Sequence, residues 1–345
     1  MAGHNWALPE IRIDPLSGNR AIVAADRARR PGGEPSCAPA APIDADSDPF
    51  APGHEDRTPP EIYAVRPGGG EPDGPGWCVR VVPNLYPALQ PPAAELTGAA
   101  PTGVAPDSPH TAHLDLFSSM PASGAHEVII NAPDSVTSLA ELTAAQVEAA
   151  MTVWRDRMRA HAGCSYVQLI VNERQEAGAS LPHTHAQLYA LDFVPGEVAR
   201  ERERFGAYAT RMLGQNLLAE LVAEEVRRRE RVVAIDDDGV LIAPYASRLP
   251  FQLMLAPRRP RARFEDDGPL CSALLHDGLG RLARYLGASP PLNMFVRTAP
   301  AGAEHFCWRI DILPRLTHIA GLELSTGLYL NIVAPEQTAA RLREA

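Results

Sequence analysis

The stretch Tyr166-Val-Gln-Leu-Ile-Val-Asn172-Glu-Arg-Gln-Glu-Ala-Gly178-Ala-Ser180-Leu-Pro-His183-Thr-His185-Ala-Gln187-Leu-Tyr-Ala190 decides how this chain is built. It opens with apolar, largely β-branched residues that suit a pleated strand, continues through a polar, small-residue loop, and returns to a strand over residues 184–190. Side chains at i, i+2 and i+4 of a strand share a face, so His183, His185 and Gln187 project together. A solvated polar face is one reason for such a row, and a reactive site is the other. The preceding loop favours the site. Gly178-Ala-Ser180 offers small residues whose backbone N–H groups and hydroxyl can approach a phosphate closely, and Asn172 closes the apolar strand before it. An imidazole nitrogen is nucleophilic near neutral pH, and its attack on an α-phosphate gives a phosphoramidate. Gln187 can donate its amide to a non-bridging oxygen. The other ring nitrogen of His185 then carries the proton, donated to a backbone carbonyl.

Outward from this stretch, residues 126–130 read as a strand and 138–160 as a helix. One long helix is predicted over residues 196–231. Strand, helix and strand then recur: strands at 239–243 and 252–255, a helix at 270–286, and strands at 293–296 and 308–312. Asn172 with His185-Ala-Gln187 matches Asn293 with Arg309-Ile-Asp311, which suggests a duplicated α+β module divided into residues 1–195 and 196–345. Upstream the chain is mostly loop, because 19 of its 34 prolines fall between Pro31 and Pro121. A strand at residues 78–82 is embedded there, and residues 91–112 read as a mobile excursion.

With 45% hydrophobic and 21% charged residues the composition is that of a folded globular protein. The net charge is −10 and no lysine occurs, so there is no basic stripe to displace counterions and nucleic acid is excluded as a partner. The arginines between Arg200 and Arg231 alternate with glutamates, which reads as a solvated helix with internal ion pairs. Five cysteines without Cys-x-x-Cys spacing read as reduced thiols. With neither a leader-like start nor an apolar run able to span a bilayer, the expected compartment is the cytoplasm and no membrane partner is expected.

The segment from Asn172 to Gln187 resembles the active-site signature of the galactose-1-phosphate uridylyltransferase family, a branch of the histidine triad superfamily. Four more segments resemble that family in the right order. These are Asp14-Pro-Leu-Ser-Gly-Asn-Arg20 with Asp26-Arg27-Ala-Arg-Arg30, then Arg80-Val-Val-Pro-Asn84-Leu-Tyr-Pro-Ala88, Pro244-Tyr-Ala-Ser-Arg248-Leu-Pro-Phe251, and Ile312-Leu-Pro-Arg315 through Gly321-Leu-Glu323. The resemblance implies an α+β fold of tandem histidine-triad-like halves, with a mainly antiparallel sheet and packed helices. It implies nucleoside monophosphate transfer from a nucleoside diphosphate sugar to a sugar 1-phosphate through a nucleotidylated His185. Gln187, Ser180 and Asn172 would serve the phosphate, and Arg27, Arg30, Asn84 and Asp134 the nucleotide pocket. A homodimer with shared active sites is also implied. Three alternatives stay open: an ADP-sugar phosphorylase using inorganic phosphate, a nucleotide hydrolase, and a non-catalytic nucleotide-binding protein.

The chain departs from the family at its metal ligands. Asp48 and Ala51 stand where two cysteines are expected, Ser135 where the third ligand is expected, and only His183 remains. Tetrahedral zinc needs four donors, so structural zinc is expected to be absent, with His183 orienting the nucleophile through hydrogen bonds. Cys307-Trp308-Arg309 likewise replaces the His-Trp-His of many relatives.

Overall fold

A computed structural model describes residues 8–29, 35–91, 116–117 and 119–345. Strands β1 (Glu10–Ile13) and β2 (Arg20–Val23) form a small sheet with β13 (Tyr329–Asn331) from the far end of the chain. The other ten strands form one antiparallel sheet. They are β3 (Tyr63–Val65), β4 (Val79–Pro83), β5 (Gly124–Ile130), β6 (Tyr166–Glu173), β7 (His185–Leu191), β8 (Val232–Ile235), β9 (Gly239–Ile242), β10 (Leu253–Pro257), β11 (Leu292–Arg297) and β12 (Arg309–Pro314). Their order is β3-β4-β5-β7-β6-β11-β12-β10-β9-β8, so the arrangement of the first five recurs in the second five, joined at β6 and β11. This is the tandem α+β architecture that the sequence implies. The helices are α1 (Ala144–Ala160), α2 (Gly196–Arg211), α3 (Leu217–Arg228), α4 (Ser272–Leu286), α5 (Gly321–Thr326) and α6 (Pro335–Glu344), and none among the described residues is long and apolar enough to cross a membrane.

Strand alternation gives the large sheet two unlike faces. Leu169, Val171, Ala186, Leu188, Met294, Val296, Ile310 and Ile312 point to one side and form a single core with Met151 and Trp154 of α1 and Leu275, Leu279 and Leu282 of α4. That core crosses both halves. The alternate residues, including His185, Gln187, Asn172, Asn293, Arg309 and Asp311, fall on the opposite, polar face. On β5, Gly124 adopts φ +145°, and a Cβ there would lie 2.0 Å from the Ala190 carbonyl oxygen, so only glycine lets β5 reach β7 at this point.

Four sequence expectations change. The single helix over residues 196–231 is two, because Leu213 and Gly214 take positive φ and Asn216 caps α3 through its side chain. Its glutamates are not all solvated: Glu224 pairs with exposed Arg227 and Arg228, whereas Glu201 and Glu225 turn inward to Arg309 and Arg231. The helix over residues 138–160 begins as a short turn, Leu139–Glu141, and α1 starts only after Thr143 and Gln146 close a capping box. The repeat is also offset. Asn172 pairs with Asn293 across the seam, but Asn293 pairs with Leu313, and Arg309 lies four residues earlier in its strand, opposite Arg297. The excursion expected at residues 91–112 lies outside the described residues except for Pro91.

Glu173 ends β6 in the core. Burial pushes its carboxyl up to about 7, against hydrogen bonds donated by Leu139 N–H and Ser138 Oγ, each at 2.7 Å. A folded-state value above the ordinary 4.5 means the fold favours the protonated form. The associated stability is therefore complete below about pH 4.5 and lost as pH rises through about 7, a change of roughly 3 kcal/mol. Glu173→Gln should flatten this dependence, and urea denaturation between pH 5 and 9 measures it. Equal slopes for the two proteins would show that Glu173 does not titrate in this range.

Candidate active site

His185 is the first residue of β7 and Gln187 shares its face, whereas His183 lies before the strand. The predicted row of three on one strand face is thus a row of two. The chain between the histidines is pinned: Thr184 N–H donates to the Val136 carbonyl, and its hydroxyl accepts from Asn131, whose own oxygen accepts from Trp154 Nε1. His185 is only 4% exposed. Its Nδ1 lies 2.8 Å from the His183 carbonyl oxygen, which can only accept, so Nδ1 carries the proton. Burial lowers the pKa of the ring, against that hydrogen bond. The imidazole is therefore neutral at pH 7 and keeps its lone pair on Nε2.

A cleft of about 400 Å³ opens at this ring. Ser180, His185, Gln187 and Asn84 line it beside Phe50, Leu85 and Tyr86. The Phe50 ring meets His185 edge-on at 5.4 Å. Ser180 is exposed at the end of its loop, where Gly178 supplies the positive φ that ends the turn Gln175–Ala177. Asn84 closes its own turn by accepting from Tyr86 N–H, and it also reaches the cleft.

Sequence reasoning missed two residues that fix Gln187. Ala88 N–H donates to His126 Nδ1 at 3.1 Å, which leaves the His126 proton on Nε2, 3.0 Å from Gln187 Oε1. The Tyr189 hydroxyl donates to the same oxygen at 3.0 Å, and its ring stacks on His126 at 4.1 Å. Burial holds the His126 pKa below its ordinary value, so the ring stays neutral. With its oxygen held by two donors, the Gln187 amide must present its N–H groups to the cleft. Tyr189 was within reach of the same alternation that joined His185 to Gln187, whereas His126 needed the β5–β7 register, which pairs it with Tyr189.

The remaining candidates divide. Asn172 lies at the seam, accepting from Asn293 Nδ2 at 2.8 Å, and it does not line the cleft. Asp134 is exposed, accepts from Gln146 at the start of α1 and does not line the cleft. Arg27 is exposed in the turn Ala25–Arg29 after β2, beside the β13 strand, and does not line the cleft either. Arg30 lies outside the described residues.

The residues at the family's metal positions do meet. His183, fully buried, places Nδ1 2.7 Å from Asp48 Oδ2 and Nε2 2.9 Å from the Ala132 carbonyl oxygen. Ser135 Oγ donates to Asp48 Oδ2 at 2.8 Å, and Phe50 N–H to Oδ1 at 3.0 Å. Burial pushes the Asp48 carboxyl up, but the hydrogen bonds from His183, Phe50 and Ser135 outweigh it and hold it below the usual carboxylate range. This donor set does not fit tetrahedral zinc, because Ala51 has no donor and the other three already satisfy one another. In the second half, Arg309 places a fixed positive charge between Glu201 and Asp311. Exhaustive dialysis against EDTA should leave the thermal midpoint unchanged. A drop of several degrees, reversed by zinc, would overturn this account.

A family model described as galactose-1-phosphate uridyl transferase, N-terminal domain, matches residues 79–195. The chain is 28% identical to an Arabidopsis thaliana ADP-glucose phosphorylase over 97% of its own length and 93% of that protein. It is 33% identical to the Haemophilus influenzae galactose-1-phosphate uridylyltransferase, over 68% of this chain and 71% of that one. The crystal structure of an Arabidopsis ADP-glucose phosphorylase with bound ADP-glucose superposes with a TM-score of 0.78 at 26% identity, covering 98% of this chain and 99% of the other. A neutral histidine with a free Nε2, a carboxamide aimed into the same cleft and this likeness along the chain agree: the protein belongs to the galactose-1-phosphate uridylyltransferase family and is an enzyme of the nucleotidyltransferase class.

Proposed function

We propose that the enzyme transfers a nucleoside monophosphate by way of a covalent nucleotidyl-His185. Nε2 of His185 attacks the α-phosphorus of a nucleoside diphosphate sugar, a P–N bond forms, and the P–O bond to the departing sugar 1-phosphate breaks. The imidazolium charge that develops is shared with the His183 carbonyl through Nδ1–H. Gln187 N–H and the Ser180 hydroxyl donate to the non-bridging oxygens as their charge grows. A second phosphorylated acceptor then attacks, and its P–O bond replaces the P–N bond. The observation that carries this reading is the 2.8 Å contact between His185 Nδ1 and the His183 carbonyl, which leaves Nε2 as the nucleophile.

The acceptor separates two versions, hexose 1-phosphate for a uridylyltransferase and inorganic phosphate for an ADP-sugar phosphorylase. The second is supported by the full-length likeness to the Arabidopsis phosphorylase. Incubation with UDP-glucose or ADP-glucose, followed by intact-mass measurement, should show a gain of one nucleoside monophosphate. Discharge by galactose 1-phosphate or by phosphate then identifies the acceptor. Discharge by water alone would make the enzyme a hydrolase.

In this proposal residues 1–195 carry the nucleophile, residues 196–345 form the second half, and β1 and β2 cross over to pack against the second half. The exposed position of Arg27 favours a homodimer, in which Arg27 and Arg30 of the partner subunit complete the nucleotide site. A monomer by light scattering would contradict that arrangement.

A further inference from the structure

The second half has its own cleft on the polar sheet face, of about 430 Å³, within the size range of small-ligand pockets. Asp311, which lines it, is three strands from Gln187, roughly 14 Å at ordinary strand spacing. Four arginines line it, and they do not have equivalent partners. Arg309 makes a two-pronged bond to Glu201 at 2.9 and 3.0 Å and holds Asp311 at 3.0 Å, while Arg297 lies 3.6 Å from Glu201. Those two cations bond to those two carboxylates, and Arg248 acts on both through its charge without a hydrogen bond to either. Glu197 on the rim pairs with Arg200, and the Asp14 carboxylate accepts from Leu16 and Ser17 N–H.

Arg248 and Arg315 are left without a carboxylate in ion-pair reach among the described residues. Arg315 gives one N–H to the neutral Asn293 oxygen at 3.1 Å and keeps its Nε buried with no acceptor. Arg248 lies over the Tyr329 ring at 5.2 Å, and its side chain makes no hydrogen bond among the described residues. Gln252 accepts from Arg248 N–H at 2.7 Å, so its amide N–H groups remain available. A buried guanidinium N–H without an acceptor is rare and calls for a partner. A guanidinium fork matches the paired oxygens of a phosphoryl group and bonds them two at a time.

We propose that this cleft is a second anion site, distinct from the His185 cleft, which holds a phosphoryl group between Arg248 and Arg315. The occupant is free phosphate or the phosphate of a sugar-sized ligand whose hydroxyls meet Asp14 and Gln252. The site does not depend on the covalent mechanism, so the two ideas fail separately.

Calorimetric titration of the full chain with inorganic phosphate and with glucose 6-phosphate tests it. Saturable binding is expected, weakened at least ~10-fold in Arg248→Gln/Arg315→Gln and unchanged in His185→Ala. Tighter binding of glucose 6-phosphate than of phosphate identifies a sugar ligand, and equal binding identifies phosphate itself. Nucleotide loading of His185 should still reach one nucleoside monophosphate in the double variant by intact mass. If that variant folds poorly, Arg248→Gln alone carries the test, since its side chain makes no hydrogen bond among the described residues and only stacks on Tyr329. The proposal is overturned by absence of saturable binding, by equal affinity in the arginine variants, or by loss of binding in His185→Ala. A change of particle size in the arginine variants would also overturn it, by making the cleft a seat for a second copy of the chain.

Discussion

His185→Ala should abolish covalent loading and lower nucleotidyl transfer by on the order of 10⁴-fold or more, the scale seen when a covalent nucleophile is removed from an otherwise intact site. The fold should survive. His185 sits at the edge of the cleft, and its side-chain hydrogen bond among the described residues is to the His183 carbonyl. The ring is small, and its removal enlarges a cleft that is already open. A steady-state assay with UDP-glucose and ADP-glucose, run with intact-mass measurement on both proteins, decides the matter. Full activity in the variant, or a mass gain that persists in it, would refute His185 as the nucleophile.

Arg309→Ala is the most damaging single change expected for stability, at about 3–5 kcal/mol. Burial works against the Arg309 charge, but Asp311 and Glu201 beside it restore it and keep the guanidinium ionised. The same burial would raise the Glu201 carboxyl, yet Arg309 and Arg297 hold it below the usual range, while Asp311 is raised by burial despite Arg309. Without the guanidinium two buried carboxylates face each other, with the charges of Arg297 and Arg248 left to offset them. Arg309→Met combined with Glu201→Gln, which removes charges of both signs, should cost less than Arg309→Ala alone. Urea denaturation of the three proteins measures the difference. If Arg309→Ala loses less than about 1 kcal/mol, the cluster is solvated and this account of it fails.

The sequence was readable where local pattern and tertiary environment agree. β6 and β7 alternate cleanly because one face of each packs into the core, and the His185–Gln187 pair follows from that alternation. Boundaries failed where a single residue sets the turn. Gly214 and Asn216 divide what the run of helix-forming residues presents as continuous, and Thr143 delays α1. The strands β1 and β2 pair locally but have only four residues each, and β13 joins β2 from some 300 residues away, where no local signal reports such a partner. Among the site residues, Asp134 and Asn172 were assigned by resemblance, and their side chains are engaged elsewhere. The Asp48–Ser135–His183 cluster was legible only as missing metal ligands. That these residues bond to one another depends on a fold that brings residues 48, 135 and 183 together.

One side chain at the seam binds the two clefts into a common circuit. Asn293 accepts from Arg315 of the second cleft, and its amide donates to Asn172 and to the Ala177 carbonyl, three residues before Ser180. An anion that draws Arg315 toward itself therefore pulls on the loop that carries Ser180 through one intervening carboxamide. By thermodynamic reciprocity, whatever such an occupant does to the grip on a nucleotide's phosphate, the nucleotide does in equal measure to the occupant. The seam would thereby give one end of the sheet a built-in means to sense the other.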